Sequence, residues 1–215
     1  MKGIKEYLDE IREPKREGKF ATSIGYTLIV LLIGIVLGIF SKYIESPQLD
    51  YDVLNIVNKL GLNNLFSDMG IWILLAVSIA VFSKTPLWAS LNVFVFFLGM
   101  NVSYHVYTIK FCGFNPSGYM RIWYIITVVT PILAYICWYA KGNGKLSIGI
   151  CSTILMVMML FSFSIGWLYF GFLGIVETIM FLVLVGVLYQ TPKKSIYSLL
   201  CAIILVNVIN LLLYL

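Results

Sequence analysis

Residues 21–43 read ATSIGYTLIVLLIGIVLGIFSKY, with a single charge, Lys42, near the end. A helix rises 1.5 Å per residue, so about 20 apolar residues cover a hydrocarbon core roughly 30 Å thick. The run therefore predicts a membrane-spanning helix. Six similar stretches follow at 67–83, 86–109, 119–140, 146–164, 166–189 and 192–214. The expected fold class is all-α, a polytopic transmembrane bundle of seven helices. Only Ser164-Ile165-Gly166 divides the fifth stretch from the sixth, so six helices is the alternative.

Composition agrees. Of 215 residues, 60% are apolar and 12% charged, against about half and a quarter in soluble domains. Of the 25 charged residues, 11 fall in the first 19 positions. A water-soluble globule is excluded. Residues 1–19 read as a cytoplasmic amphipathic segment and 20–215 as the transmembrane domain, with an outer loop at 44–66. In the first segment Ile4, Tyr7, Leu8 and Ile11 recur at helical spacing before Pro14. This helix is expected either on the inner leaflet or against the protein's own loops. Val53 to Leu60 suggests a short helix within the outer loop. No cleavable signal peptide is expected, because the polar start precedes an apolar run too long for one.

Local punctuation places the helix ends. Thr85-Pro86 and Thr191-Pro192 are start signals, and Gly142-Asn143-Gly144 is a turn. With the N-terminus inside, the inner side carries 11 Lys and Arg and the outer side Lys42, Lys59, Lys110 and Arg121. The positive-inside rule then puts the N-terminus in and the C-terminus out, as a multi-pass protein of the cell membrane. Trp72, Trp88, Trp123, Trp138 and Trp167 each lie near an expected helix end, as an aromatic belt would.

Catalytic signatures are missing: there is no G-x-S-x-G, H-E-x-x-H, P-loop or dinucleotide fingerprint. The reading is a non-enzyme without metal or cofactor, with an intramembrane enzyme using His105 or Glu177 as acid or base as the lesser alternative. One His and four scattered Cys give no metal-ligand pattern. No basic run suits nucleic acid, so the lipid bilayer is the first partner.

Glu177 is expected near the middle of the sixth helix, at bilayer depth, where an acid marks a binding or proton-coupling residue or a protonated packing contact. Asn101, Tyr104, His105 and Thr108 form a polar stripe on the third helix. Arg121, Tyr124, Thr127 and Thr130 open the fourth, and Asn207, Asn210 and Tyr214 lie late in the seventh. Pro131 frees the Thr127 carbonyl, which some polar group must satisfy. These outer-half polar groups suggest an outward pocket floored by Glu177, with interhelical hydrogen bonding as the alternative. The candidate ligand-binding residues are Asn101, Tyr104, His105, Arg121, Tyr124, Glu177, Asn207 and Asn210. Gly34-x-x-x-Gly38 reads as a close-packing face within the chain.

Around Trp72-Ile73-Leu74-Leu75, Ser83-Lys84-Thr85-Pro86, Asn92-Val93-Phe94, Gly99-Met100 and Trp138 to Gly144, the chain resembles small multi-spanning bacterial membrane proteins that are uncharacterised. The resemblance covers roughly residues 67–147 and implies a fold, not a chemistry. In size and architecture the chain is also similar to the substrate-binding subunits of energy-coupling-factor vitamin transporters, without their motifs. Two functional expectations result. One is binding or transport of a small molecule through the outward pocket. The other is a non-enzymatic assembly or immunity-type protein that meets a membrane-protein partner.

Overall fold

The computed structural model describes residues 4–14, 20–45, 65–66, 68–166 and 169–213. Lys2, Lys15, Arg16, Lys19, Lys59, Trp167, Tyr214 and all of the expected outer-loop helix lie outside them. Eight α-helices are described: α1 Ile4–Ile11, α2 Phe20–Ile44, α3 Met69–Phe82, α4 Pro86–Phe111, α5 Ser117–Trp138, α6 Gly144–Ser162, α7 Ile175–Leu188 and α8 Pro192–Leu213. A 3-10 turn, Tyr139–Lys141, follows α5, and two strands, β1 Phe163–Ile165 and β2 Phe170–Phe172, separate α6 from α7. α2, α4, α5 with its turn, α6 and α8 are long and apolar enough to cross a membrane. α3 and α7 have 14 residues each, about 21 Å.

The packing is inverted relative to a soluble protein. Leu32, Val36, Ile122, Val128 and Ile132 are exposed, while Asn92, Asn101, Thr127, Ser147 and Ser162 are buried. Oil as solvent dictates this arrangement: apolar side chains lose nothing by facing lipid, and polar groups must find partners inside. The chain divides into two compact units, each built from discontinuous segments. The first comprises residues 1–14, 69–82 and 136–215, and the second 15–68 and 83–135.

In the second unit α2 and α4 cross closely. A Cβ at Gly34 would overlap the Phe96 carbonyl oxygen. One at Gly38 would overlap the Met100 carbonyl oxygen and lie 3.0 Å from that carbonyl carbon. Gly99 reciprocates, its hypothetical Cβ 3.0 Å from the Leu31 carbonyl oxygen. The Gly34-x-x-x-Gly38 face is therefore used within the chain. The Ser103 hydroxyl bridges the helices by donating to Ile35 O at 3.0 Å. Thr85 caps α4, its hydroxyl accepting from Trp88 N–H at 3.2 Å. The Thr127 carbonyl freed by Pro131 accepts from the Thr130 hydroxyl at 2.8 Å, which is the compensation the sequence demanded.

In the first unit Met156, Met158 and Met159 of α6 are buried as core filler. Beyond α6 the structure corrects the sequence reading. The expected helix over 166–189 starts only at Ile175. An antiparallel hairpin precedes it, pairing Phe163 with Phe172, Ser164 with Gly171 and Ile165 with Phe170. Gly166 and Gly171 disfavour a helix here, while Phe163, Ile165, Phe170 and Phe172 suit a pleated surface. Phe163 anchors the hairpin by ring contacts to Phe170, Phe172 and Phe181. The tryptophan expectation also changes. Trp72, Trp123 and Trp138 lie buried in the protein, so they act as packing residues and not as a lipid-facing belt.

α1 packs on its own unit. Ile11 is buried, and its carbonyl accepts from Asn143 N–H at 2.6 Å. The Arg12 guanidinium donates to Trp138 O and, at 2.9 Å, to Val81 O, and lies 4.1 Å from the Trp138 ring centroid. One cation thus serves carbonyls at the C-terminal ends of α3 and α5, where the helix dipoles are negative. Burial lowers its pKa to about 10, so it stays charged at neutral pH.

Candidate functional site

The eight sequence-derived site residues divide between the units. Asn101, Tyr104, His105, Arg121 and Tyr124 belong to the second, and Glu177, Asn207 and Asn210 to the first. The structure brings His105, Arg121 and Tyr124 to one site and gives the others local partners.

Glu177 stands in the first turn of α7, not halfway along a long span. Its side chain folds back to the N-cap residue, so a Cβ at Gly174 would overlap the carboxylate and lie 2.9 Å from Cδ. This is the position of a capping-box acid, facing the positive end of the helix dipole. The dipole, and not a mid-bilayer pocket, accounts for an acid here. The Glu177 backbone carbonyl accepts from the Ser162 hydroxyl at 2.9 Å. Asn207 donates to Ile203 O of its own helix at 2.9 Å, and Asn210 donates to Ile165 O of β1. A hydrogen bond to the hairpin backbone is a structural use of Asn210.

Two of the second-unit residues are likewise locally engaged. Asn101, buried, donates to Thr127 Oγ1 at 2.7 Å and Trp123 O at 3.4 Å, joining α4 to α5. The Tyr104 hydroxyl donates to Glu45 Oε2 at 2.6 Å, and Lys42 Nζ lies 3.4 Å from the same carboxylate oxygen. Lys42 also sits over the Tyr104 and Phe114 rings, 5.2 and 5.4 Å from their centroids. Sequence reasoning missed this cluster. Its signal was a cation and an acid three residues apart at the end of an apolar run.

The remaining three form the site. On α4, His105 is held at both ring nitrogens: Nδ1 lies 3.1 Å from the Tyr124 hydroxyl and Nε2 2.9 Å from Asn115 Oδ1. An amide oxygen only accepts, so Nε2 carries the proton, and in the neutral ring Nδ1 accepts from Tyr124. Arg121 follows one turn into α5, exposed and without an ion pair among the described residues. His105, Arg121, Tyr124 and Ser117 line a broad, open cleft of about 420 Å³ together with the apolar Met120, Ile125 and Val128. That volume falls in the range of about 300–1,000 Å³ usual for ligand sites.

A second polar cluster lies in the first unit. Lys194 Nζ has four oxygens around it: Ala140 O at 2.9 Å, Gly142 O at 2.8 Å, Ser147 Oγ at 2.5 Å and Gln190 Oε1 at 2.6 Å. A Ser–Lys pair at this distance has the composition of a hydrolytic dyad. Here Ser147 is fully buried and donates to Ala140 O at 2.6 Å, so no substrate reaches it. Lys194 instead neutralises the carbonyl end of the Tyr139–Lys141 turn. Among the described residues no group of three His, Cys, Asp or Glu could hold a metal ion.

No known protein family, curated protein or solved structure matches the chain. The site is therefore read from its geometry alone.

Proposed function

We propose that this is a seven-crossing integral membrane protein of the cell membrane that binds a small molecule bearing an anionic group at Arg121. The N-terminus lies inside, the C-terminus outside, and the cleft opens outward. The observation that carries the reading is the guanidinium of Arg121, without an ion pair among the described residues, in a cleft where His105 and Tyr124 are fixed by mutual hydrogen bonding. A guanidinium presents several donors in a rigid fork suited to carboxylate or phosphate. The held His–Tyr pair supplies a pre-set polar wall that needs no reordering on binding.

The orientation is supported by the 11 to 4 split of Lys and Arg. α7, with 14 residues, is short for a crossing, and the apolar β1–β2 hairpin lies directly before it in the chain. A second reading, an assembly or immunity-type protein, rests on apolar faces such as Ile122, Val128 and Ile132, which lipid covers equally well.

Thermal unfolding of the purified protein with added glycerol 3-phosphate tests the proposal. A ligand at 100 times its Kd stabilises by about 2.7 kcal/mol. The stabilisation should vanish in Arg121→Gln and persist in Lys145→Gln. No response to any anion, or an equal response in Arg121→Gln, would remove the basis for the site.

A further inference from the structure

We infer that the cleft takes an anionic phospholipid, its phosphate at Arg121 and its chain over the apolar residues Ile125 and Val128. The inference rests on the anionic-ligand reading above and adds what kind of molecule the ligand is. Arg121, Ile125 and Val128 stand at i, i+4 and i+7 on α5, so they form one stripe running from the helix start into the apolar region. Along the axis this stripe covers about 11 Å. Ile125 is 60% and Val128 70% exposed, a continuous apolar path leading away from the cation.

A soluble anion would use only the rim and leave this path to other molecules. An amphiphile matches both parts at once. Ser117, the first residue of α5, also lines the cleft, so the positive end of that helix's dipole lies on the same side as the cation. The cleft is broad and open along α5, and the fixed His105–Tyr124 pair borders its polar end. Arg121 has no protein counter-ion among the described residues, so its charge is left for the bound molecule to neutralise.

The test reconstitutes the full chain in phosphatidylcholine bilayers with one lipid in ten replaced by phosphatidylglycerol, extracts it gently and counts retained lipids by native mass spectrometry. One phosphatidylglycerol should be retained in preference to phosphatidylcholine. Arg121→Gln should lower that retention about fivefold, the effect of one basic side chain on an anionic lipid, and Arg121→Lys should lower it less. Val128→Trp, which obstructs the apolar path and keeps every charge, should also lower lipid retention. If glycerol 3-phosphate binds and neither lipid is preferentially retained, the lipid inference falls and the cleft reading stands. If neither binds, both fall. Retention unchanged in both Arg121→Gln and Val128→Trp, with each variant melting like the parent, places the lipid elsewhere and overturns the inference.

Discussion

Two glycines on α2 should respond to the same substitution with opposite sign. A Cβ at Gly25 meets nothing within 4 Å, whereas one at Gly38 overlaps the Met100 carbonyl oxygen and lies 3.0 Å from its carbon. Favourable carbon–carbon contact begins near 3.5 Å, so in Gly38→Ala the helices must separate by about half an ångström or more. Overpacking of this kind costs about 1–3 kcal/mol. The separation also weakens the Ser103-to-Ile35 hydrogen bond, adding about 0.6 kcal/mol. Replacing Gly by Ala in a helix interior returns up to about 1 kcal/mol in either variant. Gly25→Ala should therefore stabilise by about 0.5–1 kcal/mol. Gly38→Ala should lie about 1.5–3.5 kcal/mol below it, since the propensity gain cancels in the comparison. Reversible unfolding in mixed micelles, read by far-UV circular dichroism, measures both. If Gly38→Ala is as stable as Gly25→Ala, the close α2–α4 crossing is wrong.

Other consequences are sharp enough to test. Arg12→Ala removes two charge-assisted hydrogen bonds to the ends of α3 and α5, about 2–3 kcal/mol of local stability, and should raise amide exchange over residues 5–13 more than in the core. Asn101→Ala and Thr127→Val should couple in a double-mutant cycle by about 0.6–1.7 kcal/mol; zero coupling would deny their 2.7 Å contact. Lys194→Met removes the donor shared by four oxygens, of which Ala140 O keeps the Ser147 hydroxyl, and should destabilise by at least about 2 kcal/mol, whereas Glu177→Gln, losing mainly a dipole interaction, should change stability by less than about 1 kcal/mol.

The spans were legible because their signal is simple. Runs of apolar residues broken by Thr-Pro and Gly-Asn-Gly mark α2, α4, α5, α6 and α8 to within a few residues. Thr85 and Pro131 also behave as their local chemistry requires. The hairpin was hidden because periodicity cannot distinguish a short apolar strand from a buried helix segment. Phe163 to Phe172 is apolar apart from Ser164 and two glycines, and only these hinted at a break. That break removed Glu177 from mid-helix and with it the basis for a floor in the expected pocket. Three of the eight site residues, His105, Arg121 and Tyr124, meet at one cleft. Asn101, Asn207 and Asn210 serve hydrogen bonds to nearby backbone or Thr127. A sequence shows which side chains are polar, but their partners are chosen by packing. The Arg12, Lys42 and Lys194 clusters join residues far apart in the chain and left little local trace.

The account stands or falls on Arg121 facing a cleft open to the exterior. Single cysteines at Arg121 and Gly144, in a chain whose Cys112, Cys137, Cys151 and Cys201 are replaced by Ser, can be exposed in intact cells to a membrane-impermeant thiol reagent. Arg121→Cys should label from outside, while Gly144→Cys should label only after permeabilisation. Labelling of Gly144→Cys from outside, or an Arg121→Cys thiol that reacts only from within, would contradict it.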